Sequence, residues 1–164
     1  MNLWLIGMMG SGKTTVGRLA AANSGLPFRD VDLIVQERLQ RSIAELWEAG
    51  GEDAFRAIES TVVEELAGAA GAVVSTGGGA VLNLANRNAM RRSGTVVWLT
   101  ASPAVLASRV VGDRERPLLG SGGEDRLAQL LAGRIEHYTD VADHTVSTEG
   151  RTPAEVAEEV GQWL

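Results

Sequence analysis

Cysteine is absent from all 164 residues, which excludes disulfides, thiolate metal sites and cysteine nucleophiles. Histidine is nearly absent: His137 and His144 are the only two, too few for a histidine-rich metal centre. No apolar stretch is long enough to span a bilayer. The start, Met1-Asn2-Leu3-Trp4-Leu5-Ile6, lacks the basic region and long apolar run of a signal peptide, so a cytoplasmic chain without membrane contact is expected. Positive charge is also in deficit. Fifteen basic residues against twenty-one acidic ones leave a formal net charge of −6, which argues against a nucleic-acid partner while permitting a local basic cleft. Lysine is the scarcest cation: fourteen of the fifteen basic residues are arginine, and Lys13 is the one exception. A chain that uses arginine everywhere else keeps lysine where a compact ammonium is needed.

What is present is ordinary globular composition, 45% hydrophobic and 22% charged, in a length that fits one domain with a sizeable core. Strand and helix patterns alternate. Asn2–Ile6 is an apolar run ended by glycine and reads as a buried strand. Helical spacing follows from Gly12 to about Asn23, with Gly25 as a stop, and Phe28–Val31 is briefly extended. Leu33–Leu39 reads as a helix. Ser42 suits the N-cap of Ile43–Ala49, and Asp53–Ala69 carries Phe55, Ile58, Val62, Val63 and Leu66 on one face. Ala72–Thr76 and Thr95–Thr100 are β-branched runs suited to strands covered on both sides. Ser102-Pro103 opens a helix to about Val111, His144–Ser147 reads as a last strand, and Thr152-Pro153 caps a helix to Leu164. This alternation predicts an α/β fold with a central parallel sheet. The exception is 112–125, rich in glycine and charge between helical patterns, which reads as a functional lid.

The first strand runs into Gly7-Met8-Met9-Gly10-Ser11-Gly12-Lys13-Thr14-Thr15, which satisfies G-x-x-x-x-G-K-[ST]. The glycines let backbone N–H groups close around phosphate oxygens, and the helix that starts there adds its positive end. Lys13 is suited to the β- and γ-phosphates and the Thr14 hydroxyl to Mg²⁺. The bland reading is a glycine-rich turn that matches by accident, and the strand–loop–helix context weighs against it. Guanine recognition through N/T-K-x-D is excluded, because the single lysine already sits in the loop.

On the acceptor side, the strand Ala72–Thr76 ends in Gly77-Gly78-Gly79 with no carboxylate. Three successive glycines suit close approach of backbone to a ligand, or a tight exit from a strand, and both can hold. The acids sit earlier, in Asp30-Val31-Asp32, on the same side of an extended chain. One can hold Mg²⁺, directly or through water, while the other takes the acceptor hydroxyl's hydrogen bond; the alternative is an aspartate that only caps the next helix. Arg56 and Glu59 are either a surface i,i+3 pair or a carboxylate clamp braced by Glu59. Arg116, beside Pro117-Leu118-Leu119, sits in the lid, and Arg134 on the helix that follows.

Taken in order, Gly7–Arg18, Phe28–Asp32, Gly51–Glu59, Ser75–Val81, Arg116–Leu119 and Arg134–Asp143 resemble the shikimate kinase family along nearly the whole chain. The resemblance implies a three-layer α/β/α P-loop kinase with a lid, one kinase domain over 1–164, and a substrate-binding region at 33–61. It implies shikimate against Asp32, Arg56, Gly78, Gly79 and Arg134. It implies ATP, the co-substrate, against Gly10, Ser11, Gly12, Lys13, Thr14 and Thr15, with Arg109 near the adenine and Arg151 as a further contact. Arg116 would lie over the transferring phosphate, so Lys13, Asp32 and Arg116 form the expected catalytic set, with Mg²⁺ on Thr14 and Asp30. A monomer is the family default. The chain departs from the pattern at Gln40, where glycine is common, at Trp47, where phenylalanine is common, and in its short lid. A kinase for another polyhydroxy acid such as gluconate keeps the cradle and one clamp but not the full arginine, aspartate and triple-glycine set. A regulatory nucleotide-binding module predicts loss of Lys13, Asp32 or Arg116, and all three are present.

Lys13→Met should lower kcat by roughly two to three orders of magnitude, the ~3–4 kcal/mol that one preorganised charge contact supplies in a transition state. Circular dichroism should show an unchanged fold. Near-normal turnover in the folded variant would remove the phosphate-site assignment.

Overall fold

Side-chain alternation along the first strand sets the layering. In β1 (Asn2–Ile6) all five residues are buried; Leu3 and Leu5 join one apolar cluster, Trp4 and Ile6 another. β1 is central in a five-stranded parallel sheet with β2 (Phe28–Asp30), β3 (Val73–Ser75), β4 (Gly94–Thr100) and β5 (His144–Ser147), ordered β2-β3-β1-β4-β5. Leu5 stands opposite Ser75 on one side and Val97 on the other. The computed structural model describes residues 1–69, 71–110 and 123–164.

Under Leu3 and Leu5, the face is covered by Val16, Ala20 and Ala21 of α1 (Lys13–Ser24) and Val156, Ala157 and Val160 of α8 (Pro153–Val160). The face carrying Trp4 and Ile6 packs on α2 (Val31–Leu39), α3 (Ile43–Gly68), α4 (Leu84–Ser93), α5 (Pro103–Val110), α6 (Gly123–Ala132) and α7 (Ile135–Val141). These are the three layers of a P-loop kinase fold. Each fully buried valine or leucine in them contributes about 1.5–3 kcal/mol of transfer free energy. The one indole at the centre, Trp4, is fully buried and donates Nε1–H to Ser93 Oγ at 3.0 Å, so its polar atom is satisfied. Asn2 ties the layers at the lower edge: its amide donates to Leu66 O and Ala69 O, and its carbonyl accepts from Ala72 N–H.

Several boundaries differ from the sequence reading. Val31 begins α2 instead of ending the strand, because the Asp30 side chain accepts from Asp32 and Leu33 N–H and caps the helix there. Asp32 therefore lies in a first helical turn, not on an extended chain beside Asp30. The two helices expected at 43–49 and 53–69 form one path broken at Gly51, whose φ of 73° and ψ of −179° suit only glycine. α4 has no counterpart in the sequence reading: it is polar and arginine-rich, with a short apolar stripe. Residues 123–125 open α6 and do not belong to the loop before it, and Arg134 precedes α7 at its N-cap position instead of lying within a helix. The C-terminal α-helix stops at Val160, and a 3₁₀ turn, Gly161–Trp163, follows. Two of the predicted serine and threonine caps are present as capping boxes, Ser42 with Glu45 and Thr152 with Glu155.

Gln40, which ends α2, has φ 52° and is the one non-glycine with positive φ among the described residues. Left-handed backbone costs an ordinary residue about 1–2 kcal/mol, part of which glycine returns through its freer unfolded state. Gln40→Gly should therefore raise stability by about 0.5–1 kcal/mol, read as a higher urea midpoint with an unchanged m-value.

Candidate functional site

Parallel strands place all their carboxyl ends at one edge, where open α/β sheets bind ligands. After β1, Gly7, Gly10 and Gly12 adopt φ values of 143°, 78° and 92° and curl the loop 7–15 over the start of α1. Lys13 is buried with its ammonium donating to Gly7 O and Met8 O, each at 2.9 Å. The loop thus holds its cation inside a ring of backbone groups, beside the N-terminal end of α1.

Thr14 Oγ1 donates to Asp30 Oδ2 at 2.9 Å, and Asp30 is buried at the end of β2. The helix-capping role foreseen for one aspartate therefore falls to Asp30, through Oδ1, while Oδ2 meets the phosphate loop. A hydroxyl and a carboxylate side by side are hard oxygen donors, the kind Mg²⁺ takes one or two of from protein while phosphates and water supply the rest. Thr14 and Asp30 fit that ion.

Next to them opens a cavity of about 330 Å³, whose lining includes Thr14, Asp30, Asp32, Arg56, Glu59, Gly77, Gly78, Gly79 and Arg134. Five segments distant in sequence meet there. Arg56 Nη1 donates to Glu59 Oε2 at 2.7 Å, while Nε and Nη2 donate to Glu52 Oε1 at 3.3 and 3.2 Å. The guanidinium lies over the Phe55 ring, 5.2 Å from its centre, and against Gly79, where any Cβ would overlap it. A Cβ on Gly77 would stand 2.6 Å from Glu59 Oε1 and 2.8 Å from Asp32 Oδ1. A side chain at 77 or 79 would therefore displace the charged groups lining the cavity, and glycine lets backbone pass among them. Arg134 is 4% exposed, and no carboxylate of the described residues pairs with it. A cation this buried calls for an anion. Trp47 forms part of the wall, tilted against Phe55 with ring centres 6.2 Å apart.

Burial and pairing compete at Arg56 and Glu59, with different winners. Desolvation lifts the fully buried Glu59 carboxyl from its ordinary range to about 7, against the pull of Arg56 and with a further push from Asp32. Burial depresses Arg56 as well, but its side chain stays 19% exposed and has two carboxylates, so its pKa ends above the usual value.

Tyr138 and Thr148 are two contributors that the sequence alone does not single out. The Tyr138 hydroxyl donates to Gly78 O at 2.5 Å, and its ring stacks on Trp98 at 5.3 Å. Burial pushes this phenol up to about 12, so it stays a hydrogen-bond donor at neutral pH. Its signal was available: it is the only tyrosine, one helical turn after Arg134. On the other side of the phosphate loop, a second cavity is lined by Ser11, Gly12, Thr15, Arg109, Thr148 and Arg151. Gly10 lies beside it, its carbonyl accepting from Arg109 at 3.2 Å. The structure thus brings the expected acceptor residues into one cavity and Ser11, Gly12, Thr15, Arg109 and Arg151 of the expected nucleotide set into another, while Thr14 lines the first cavity and Gly10 and Lys13 line neither. Arg116 and the lid residues 112–122 lie outside the described residues.

The family model for shikimate kinase matches residues 9–164. The chain belongs to the shikimate kinase family. It is 44% identical over 164 residues to the shikimate kinase of Geobacter sulfurreducens, covering 99% of this chain and 90% of the relative. The solved shikimate kinase from Acinetobacter baumannii in complex with shikimate superposes with a TM-score of 0.96 at 35% identity, over 98% of this chain and 90% of that one. The enzyme from Aquifex aeolicus gives 0.85 at 38% identity, over 98% and 94%. As a member of the shikimate kinase family, the chain is an ATP-dependent kinase. No helix among its described residues is long and apolar enough to cross a membrane.

The raised Glu59 pKa has a thermodynamic consequence. Between the ordinary carboxyl pKa and about 7 the folded chain holds a proton that the unfolded chain has released, so this contribution is full at low pH and fades as pH rises. The stability of the wild type relative to Glu59→Gln should fall from about pH 5 to pH 7 and then level off. Urea titrations of both proteins at stepped pH measure it, and parallel profiles would contradict it.

Proposed function

We propose that this chain transfers the γ-phosphoryl group of ATP to the 3-hydroxyl of shikimate, giving shikimate 3-phosphate and ADP within aromatic amino-acid biosynthesis. One observation carries the reading: Arg56, Arg134 and Asp32 converge on a cavity that adjoins the phosphate loop. Shikimate offers one carboxylate and several hydroxyls, and two guanidiniums with a carboxylate are the complementary set.

Phosphoryl transfer requires the attacking oxygen and the leaving oxygen in line, with charge spreading over the transferred group. Lys13 is the cation for that charge, and Gly10, Ser11, Gly12, Thr14 and Thr15 of the loop hold the phosphates in place. Asp32 accepts the hydrogen bond of the attacking hydroxyl and orients it toward the loop. Arg56 and Arg134 hold the acceptor carboxylate, and Gly78 and Gly79 bring backbone against the ring. Thr14 and Asp30 would hold Mg²⁺, which would supply positive charge to offset that of the phosphates. Arg109 and Arg151 serve the nucleotide's base side, and Arg116 belongs to the same reading as the lid's cation over the transferring group. The one kinase domain acts as a cytosolic monomer in this reading; sedimentation velocity tests the monomer.

ATP turnover with shikimate, compared with gluconate, decides the acceptor; preference for gluconate would overturn the assignment. The clamp has its own test. Removing charge at Arg134 should weaken shikimate binding about ten- to a hundredfold, the loss of one charge-assisted contact, with little change for ATP. Binding of an analogue without the carboxylate should be nearly indifferent to the same substitution. Equal losses for both ligands would show that Arg134 faces another group.

A further inference from the structure

We propose that Thr148 is a positioning residue for the nucleotide, its hydroxyl holding Arg109 in the orientation that meets the base side of ATP. This rests on the assignment of Arg109 to the nucleotide made above, and it concerns a residue with no role in that assignment.

Thr148 follows β5 and is 4% exposed. Its backbone N–H donates to Thr100 O at 2.8 Å, and its Oγ1–H donates to the same carbonyl at 3.2 Å. Arg109 Nη1 donates to Thr148 Oγ1 at 2.9 Å, and Nη2 donates to Thr148 O at 3.1 Å. The bond directions are forced by chemistry. A carbonyl only accepts and a guanidinium only donates, so the group between them must do both, and a hydroxyl does. A third bond, Arg109 Nη1 to Gly10 O at 3.2 Å, ties the same guanidinium to the phosphate loop.

Thr148 thereby links the end of β4, the arginine near the end of α5 and the phosphate loop. The next residue strengthens the link: Glu149 accepts from Ser102 N–H and Oγ–H at the start of α5, so one turn grips that helix at both ends. The three Arg109 bonds lie in the guanidinium plane and engage Nη1 and Nη2, leaving the planar faces for a heteroaromatic ring. The cavity lined by Ser11, Gly12, Thr15, Arg109, Thr148 and Arg151 lies beside the loop that takes the phosphates. A freely rotating arginine would have to be ordered on binding, and Thr148 prepays that ordering.

Valine is the isosteric test, because it keeps the shape of threonine and removes the hydroxyl. Thr148→Val should weaken ADP binding about three- to tenfold by calorimetry, somewhat less than the full loss of a charge-assisted bond because two Arg109 bonds remain. The KM for ATP should rise with kcat little changed, while shikimate affinity and the melting temperature stay near wild type. Thr148→Ser keeps the hydroxyl and should stay within about twofold of wild type. In an Arg109→Ala background, Thr148→Val should have no further effect on ADP affinity. Wild-type ADP affinity in Thr148→Val would overturn the proposal. So would equal weakening by serine and valine, a parallel loss of shikimate binding, or a full valine effect without Arg109. If Thr148→Val does not fold, the serine variant and Thr148→Ala read the same contrast. ADP calorimetry needs no acceptor, so an error in the acceptor assignment would show only as absent turnover with shikimate.

Discussion

Arg56 and Glu59 form a buried ion pair on which the acceptor cavity depends. Glu59 is at 0% exposure, and its Oε1 has no hydrogen-bond donor among the described residues, so its one strong contact is Arg56. Burying such a carboxylate is costly, and removing Arg56 would leave Glu59 without its one strong partner. That cost is tolerated where function needs a fixed cation. Glu52 braces the guanidinium from the solvent side, Phe55 lies under it and Gly79 against it, so its position is over-determined. The cavity also gains a carboxyl group poised near neutrality, an outcome of burial overcoming the pull of Arg56 and, more weakly, of Arg134.

The rest of the site follows from sheet geometry. Parallel strands deliver the phosphate loop after β1, Asp30 after β2, the triple glycine after β3 and Thr148 after β5 to one edge. Each segment is then cross-tied: Thr14 to Asp30, Tyr138 to Gly78, Arg109 to both Gly10 and Thr148. None of these bonds is strong alone, about 0.5–1.5 kcal/mol net and somewhat more where a charge takes part. Together they hold phosphate, acceptor and base sides in one rigid frame, which phosphoryl transfer needs because its catalysis is chiefly positioning and electrostatics.

Asp30 shows how one side chain serves several ends. One oxygen caps α2 and the other accepts the Thr14 hydroxyl. The cap places Asp32 in the first turn of α2, which turns its carboxylate toward Gly77 and Glu59 instead of leaving it on a strand. The departures from the family pattern are also physical. Gln40 accepts left-handed backbone where glycine is easier, and Trp47 enlarges the apolar wall beside Phe55.

The sequence by itself determined whatever is local. The phosphate loop was legible because its glycines, Lys13 and Thr14 are contiguous, and backbone conformation there depends on neighbours alone. Layering was legible from β1, whose alternating Leu3, Trp4, Leu5 and Ile6 require cover on both faces. The caps at Ser42 and Thr152 were read correctly for the same reason. Short-range competition was harder: Val31 looked extended until the Asp30 cap drew it into a helix, and polar α4 gave too narrow a stripe to read. Only the tertiary structure decided which charges meet. Arg56 and Arg134 are separated by 78 residues, Tyr138 and Gly78 by 60, and Arg109 and Thr148 by 39. Their meeting is set by strand order and helix packing, and so is the burial that raises Glu59. Burial is a property of the assembled layers, and no run of residues carries it alone.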